Sequence, residues 1–393
     1  MSAILVLMKK LLSIILVPLV FVFGAIYGAN TNFKISKNNS VSGVSSKLDY
    51  SSVDEAYGKL VQNYDGTIDA AKVLDGIKKG LAESTGDPYT EYFPAEDAKG
   101  FKEQISGTFS GIGAELGKEN NAVTVIAPIK GFPAEKAGLQ SKDVILKIDD
   151  QDALSLSITE AVKKIRGPKD TSVKLSVLRG GTEQIDISIV RADIKIPSVT
   201  SEVLDGGVCS ISISRFSDDT DTLVTDAAKT CKEKSASSVL LDLRGNPGGY
   251  LDQAIKVSSH WVNEGEVVVS EKRGGKIIKS HTAIQGQEFK GMKTVLLIDG
   301  GSASASEIVA GALHDHNLAS LVGMKTYGKG SVQEVDPLAG NTTIKITIAR
   351  WYTPNDKNID KQGIEPDTKV EPTKEEIAAK NDTQKQRALE LLK

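Results

Sequence analysis

The chain has 393 residues, 40% of them hydrophobic and 25% charged, a globular composition with room for more than one domain. A net charge of −3, no dense basic run and only 5% aromatic residues argue against nucleic acid as the main partner. Two cysteines, Cys209 and Cys231, make no disulfide framework; they read as small buried residues or, in an oxidising compartment, as a single bridge.

Lys9 and Lys10 precede an uncharged apolar run from Leu11 to Gly28. The run is at the lower edge of a membrane span and longer than a usual signal core. Residues 1–29 therefore read as a retained membrane anchor. A cleaved signal is the alternative, although Ile26 and Tyr27 are not the small residues that cleavage favours. With the two lysines held inside, everything after residue 30 lies outside the cytoplasm. Residues 30–49, rich in Ser, Asn and Lys, read as a linker. Over 50–106, apolar residues at three-to-four spacing (Val53, Tyr57, Leu60, then Ile68, Leu74, Ile77, Leu81) predict a small helical module, broken at Gly86-Asp87-Pro88. Short strands at 123–127, 144–148 and 173–178, with one helix at 157–165, predict a β-rich domain. Beyond 194, strands at 239–244 and 295–299 alternate with helices at 251–262 and 306–314, which argues an α/β core. Residues 373–393 read as one charged amphipathic helix.

Chemistry concentrates in two segments. Asp299-Gly-Gly-Ser302-Ala-Ser304-Ala-Ser306-Glu307 follows an apolar strand and opens a helix. A serine there meets free N–H groups and the positive end of the helix dipole, both suited to a developing oxyanion. Ser304-x-x-Glu307 is equally a capping box, and Ser302, Ser304 and Ser306 compete for the role. A hydroxyl is a poor nucleophile until a base takes its proton. The candidate base is Lys329, set between Gly328 and Gly330, because glycines let backbone approach and burial lowers a lysine pKa. Lys325 is a rival without the glycine cradle. Residues 323–329 fit the start of a phosphate-binding loop, but Gly330 stands where its Ser or Thr belongs and a strand follows, so nucleotide is not expected. The turn Leu243-Arg-Gly-Asn-Pro-Gly248-Gly249 is either a tight βα connection or a source of oxyanion-binding N–H groups. His314 and His316 diverge on a helix, and no metal or cofactor motif is present. Ser110-Gly111-Ile112-Gly113-Ala114 offers successive N–H groups suited to a terminal carboxylate.

Taken with Gly86-Asp-Pro-Tyr-Thr-Glu-Tyr92, Pro133-Ala-Glu-Lys-Ala-Gly-Leu139 and Gly328-Lys-Gly-Ser-Val-Gln333, these motifs make the chain resemble the carboxyl-terminal processing (tail-specific) serine peptidases from about residue 50 onward. The resemblance implies a multidomain α/β fold: a helical module at 50–106, an inserted PDZ β-domain at 107–192, a ClpP/crotonase-like protease core at 193–372 and a C-terminal helix at 373–393. It implies Ser304 as nucleophile, Lys329 as general base and Gln333 as the partner orienting the lysine. Ala305 with Gly248 or Gly249 would form the oxyanion hole, and Asp315 matches an acidic position that supports structure. Gly111, Ile112, Gly113 and Ala114 would hold the substrate C-terminus. Asp299 departs from the family, where Asn is frequent, and Gly245 fills a variable place. The implied partners are proteins or peptides with exposed C-terminal tails, and the cytoplasmic membrane through the N-terminal segment; homo-oligomerisation is left open. The implied location is the cell envelope, with the catalytic domain outside the cytoplasm. The competing reading is a non-catalytic PDZ scaffold or chaperone on a protease-like core.

Overall fold

The computed structural model of the protein describes residues 49–120 and 122–393. The anchor or signal expected at 1–29 and the linker at 30–49, Asp49 excepted, lie outside the described residues. Among those described, no helix is long and apolar enough to cross a membrane. The chain divides into two compact units, residues 1–70 and 71–393. The first carries the helix Ser51–Asn63, at whose start the Asp49 carboxylate accepts the Ser51 N–H (2.9 Å).

The helix Ala70–Glu83 leads into the second unit, and Ala95–Ser106 is a further helix there. The all-helical reading of 50–106 fails between them: Glu91–Phe93 is a strand, antiparallel to Thr343–Lys345. Tertiary contacts override local spacing at this point. Tyr92 is buried with its hydroxyl donating to Asp75 (2.5 Å), and Phe93 stacks on Phe101 at 4.8 Å.

The β-rich domain is an antiparallel sheet in the order Ala114–Glu119, Ala122–Pro128, Val144–Ile148, Ser172–Arg179, Glu183–Val190. Ala161 and Ile165 of the helix Ile158–Ile165 pack on Val123, Val125, Ile145 and Leu175. Ser157 and Glu160 cap that helix reciprocally, at 3.2 and 2.8 Å. Thr108–Gly111 and Ala192–Lys195 pair antiparallel, so the chain enters and leaves this domain side by side.

The remaining core is a six-stranded sheet, ordered Val199–Leu204, Val208–Ile213, Ser238–Asp242, Lys293–Ile298, Ser320–Gly323, Thr368–Lys369, parallel after its first pair. Its central strands are apolar throughout because both faces are covered. Val239, Leu241, Leu296 and Ile298 face Val224, Val257, Val309 and Leu313 of three helices, while Leu240, Val295 and Leu297 face Ala388 and Leu392 of another. Cys209 and Cys231 form a disulfide between the strand Val208–Ile213 and the helix Thr220–Glu233. Closing a sequence separation of 22 residues stabilises the fold by about 3 kcal/mol. The single C-terminal helix is instead two, Lys374–Ala378 and Thr383–Leu392. The break has a cause: Lys380 sits at φ 53°, and Asp382 turns to cap the second helix and pair with Arg244 at 2.8 Å.

Candidate active site

The parallel strands Ser238–Asp242 and Lys293–Ile298 deliver two turns to the same end of the sheet, where they bond to each other. The Asp299 Oδ1 accepts the N–H groups of Gly245 (2.8 Å), Gly301 (2.9 Å) and Ser302 (3.1 Å). The Ser302 hydroxyl donates to the Leu243 carbonyl (2.8 Å), and that of Ser306 to the Asn246 carbonyl (2.9 Å). Both serines are wholly buried, so their donors are committed to holding the turns. Ser304 alone of the three is partly exposed, and it lines a cavity of about 340 Å³. Its φ of 54° lies in the left-handed region, which costs a non-glycine residue about 1–3 kcal/mol. The helix Ala305–Asp315 begins directly after it.

Lys329 and Gln333 line the same cavity, together with Gly248, Gly249 and Trp351. Gly328 has φ 86°, and a Cβ on Gly330 would meet the Asp360 nitrogen at 2.0 Å, so the two glycines around Lys329 are required by backbone conformation and by close approach. Burial pushes the Lys329 amine below its ordinary value, the Lys345 charge adds to that, and Glu307 opposes it. The Lys329 Nζ lies 5.6 Å from the centre of the Tyr89 ring. Lys325 is exposed and paired with Glu365 (2.8 Å). The Gln333 Nε2 donates to the Thr347 (2.7 Å) and Ser331 (3.3 Å) hydroxyls, whereas its Oε1 is buried without a partner.

One side chain joins these pieces. Glu307 is fully buried; its Oε2 accepts the N–H groups of Ser304 and Lys329, both at 2.9 Å. Its Oε1 accepts the Gly328 N–H (2.7 Å) and the Thr326 hydroxyl (2.5 Å). Burial pushes the Glu307 carboxyl up, and these hydrogen bonds do not fully offset it. Sequence reading found Glu307 only as half of a capping box, because its other partners are distant along the chain.

Gly248 and Gly249 press against the serine turn. A Cβ on Gly248 would meet the Ser304 Cβ at 2.8 Å, and one on Gly249 the Phe216 carbonyl oxygen at 2.0 Å. The Gly248 N–H already donates to Asn246 Oδ1 (2.9 Å). Among the described residues, the Gly249 N–H makes no such bond.

His314 bonds Asp367 (3.0 Å) and His316 the Val267 carbonyl (2.8 Å), so the pair diverges as expected. The Asp315 side chain is buried and accepts the Asn355 N–H (2.9 Å), a structural contact. A larger cavity, about 560 Å³, lies beside Trp261, Phe289 and His314 and contains none of the serine-segment residues. In the β-rich domain, Gly113 adopts φ 74° and the Ile112 carbonyl accepts the Ala134 N–H (2.7 Å). Ala114–Glu119 is one of the two edge strands of that sheet, with one side unpaired.

Residues 207–370 match the peptidase family S41 model, and residues 124–179 match a PDZ domain model. The carboxy-terminal processing protease CtpA of Bacillus subtilis (strain 168) is 38% identical over 366 residues, covering 92% of this chain and 77% of that protein. Among solved structures, the photosystem II D1 C-terminal processing protease is 24% identical, with a TM-score of 0.50 over 83% of this chain and 87% of that one. A putative S41 protease from Bacteroides fragilis NCTC 9343 is 16% identical, with a TM-score of 0.54 over 84% and 92%. At these two identities the likeness is one of fold.

Proposed function

The chain belongs to peptidase family S41, among the serine-type carboxy-terminal processing proteases, and from that membership we propose that it cleaves proteins near their C-terminal tails with a Ser304–Lys329 pair. The observation that carries the proposal is the single cavity holding a partly exposed, conformationally strained serine and a half-buried lysine whose pKa is depressed. Neutral Lys329 takes the Ser304 hydroxyl proton as Oγ attacks the scissile carbonyl carbon. The oxyanion is held by the N–H groups of Ala305 and Gly249. The lysine ammonium then protonates the departing amine as the C–N bond breaks, leaving an ester on Ser304. Water, deprotonated by the same lysine, releases the new carboxylate and restores the serine. Gln333 orients the lysine.

The PDZ domain captures the substrate's last residues by strand addition along Ala114–Glu119, with the Gly111, Ile112, Gly113 and Ala114 loop receiving the terminal carboxylate. An extracytoplasmic location is supported by the Cys209–Cys231 bridge, since disulfides persist in oxidising compartments, and residues 1–29 would serve as the anchor.

A fluorophosphonate probe tests the nucleophile. It is expected to label the wild-type chain at Ser304 and to leave Ser304→Ala unlabelled; equal labelling of both refutes the assignment. The capture role is read separately with an unstructured peptide whose C-terminus is free or amidated. Amidation is expected to raise KM several-fold with kcat little changed, because it removes binding common to ground and transition states. Equal KM values would remove the PDZ loop from recognition.

A further inference from the structure

The segment Gly86-Asp-Pro-Tyr-Thr-Glu-Tyr92 has no part in the chemistry derived above, yet it reaches the catalytic cavity by two routes. We propose that it is a positioning arm of the active site, in which Asp87 and Thr90 act through Thr347 to present the Gln333 Oε1 to Lys329. The inference rests on the Ser304–Lys329 reading and adds to it residues that touch neither substrate nor nucleophile.

The geometry begins with Gly86, whose φ of 67° turns the chain after the helix Ala70–Glu83. Asp87 then accepts the Thr90 hydroxyl on Oδ2 (2.8 Å) and the Tyr89 N–H on Oδ1 (3.4 Å). Thr90 has spent its proton on Asp87, so its oxygen is an acceptor, and it takes the Thr347 N–H at 3.1 Å. This bond extends the Glu91–Phe93 ladder along the strand Thr342–Tyr352. Thr347 is the cross-strand partner of Gln333, at a bulge between Val332 and Gln333 that re-aims the glutamine.

The direction of each hydrogen bond is what makes the arrangement act at a distance. Burial raises the Asp87 carboxyl, but hydrogen bonds from Thr347, Thr90 and the Tyr89 N–H, with the Arg350 charge, outweigh it and leave the group below its ordinary value. An ionised carboxylate only accepts, so the Thr90 hydroxyl hydrogen turns toward it, and the same negative charge draws the Thr347 hydroxyl hydrogen. The Thr347 oxygen is left as an acceptor and takes a hydrogen from the Gln333 Nε2 at 2.7 Å. A flipped amide would set two acceptors against each other. The Gln333 Oε1 is therefore turned to the opposite side of the amide and is buried without a partner, on a residue that lines the cavity with Lys329. An acceptor there takes one amine hydrogen and leaves the nitrogen lone pair free to face Ser304. The neighbouring Tyr89 ring, 5.6 Å from Nζ, covers the lysine from the same segment.

The test is a mutant cycle in the full chain, with Thr90→Val, Thr90→Ser, Gln333→Ala and the double variant Thr90→Val/Gln333→Ala. The readouts are the rate of fluorophosphonate labelling of Ser304 and the separate kcat and KM for an unstructured peptide. Thr90→Ser keeps the hydroxyl and is expected to match wild type. Thr90→Val is expected to lower kcat and the labelling rate roughly tenfold to a hundredfold, as for a reacting group displaced by a fraction of an ångström, with KM little changed. The double variant is expected to be no slower than Gln333→Ala, because the threonine acts only through the glutamine. A full additional loss in the double variant, or no loss in Thr90→Val, overturns the inference while leaving the Ser304–Lys329 reading intact. A wild-type chain that fails to label overturns both. Should Thr90→Val not fold by its thermal melt, Asp87→Asn is read in the same cycle, with the same expected and overturning results.

Discussion

Lys329→Met is expected to abolish cleavage and, at neutral pH, to raise the melting temperature. Methionine fills the half-buried space of the lysine stem but cannot accept a proton, so the loss should be about 10⁴-fold, the upper range for a general base. The stability gain follows from the sign of the lysine's shift. Its folded pKa lies below the ordinary value of 10.5, with burial the main cause. Between the folded pKa and 10.5 the unfolded chain binds more protons, so wild-type stability rises with pH across that window. The penalty of holding the lysine is fully present below the folded pKa and relieved by pH 10.5. The variant's thermal advantage should therefore be largest below the folded pKa and vanish toward pH 10.5. Wild-type kcat/KM should climb with pH through the same folded pKa, because the neutral amine is the active form. More than a hundredth of wild-type activity in Lys329→Met, or a pH-independent difference in melting temperature, would contradict this account.

What could be read from the sequence was whatever sits close together along the chain. The strand, paired glycines, serine and helix of residues 293–315 are contiguous, as are the glycines around Lys329, and both segments fold as their local chemistry dictates. Local reading could not tell the three serines apart; in space the Ser302 and Ser306 donors are committed to the turns and Ser304 is the one of the three that lines the cavity. Nor could it see that Asn246 takes the Gly248 N–H, which distinguishes two adjacent glycines by their hydrogen bonding. The strand Glu91–Phe93 was hidden because its partner Thr343–Lys345 lies far along the chain. The pairing of Cys209 with Cys231 was open for the same reason: only the packing of strand against helix brings them together.

Glu307 is the extreme case, and Glu307→Gln is expected to cost both activity and stability. Its two oxygens accept four donors: Ser304 N–H, Lys329 N–H, Gly328 N–H and the Thr326 hydroxyl. Glutamine has nearly the same shape but only one accepting oxygen. Whichever way its amide lies, two donors face an NH₂ group inside a fully buried site, and each buried donor left unmet costs about 1–3 kcal/mol. Neutralising the group returns part of this, since the folded Glu307 pKa is raised by burial. Because that folded pKa is raised, the wild-type contribution is fully present below the unfolded value near 4.5 and declines as pH rises through the folded value. The deficit of the variant should accordingly be widest in acid and narrow toward neutral pH. Activity offers no such compensation. Ser304 and Lys329 hang from the same oxygen, so losing it moves nucleophile and base independently, and a displacement of about 1 Å costs roughly 10²-fold. Circular dichroism melts across pH, read beside fluorophosphonate labelling, separate the two effects. Wild-type labelling in a folded Glu307→Gln chain would mean that the serine and lysine segments hold their places without the shared carboxylate.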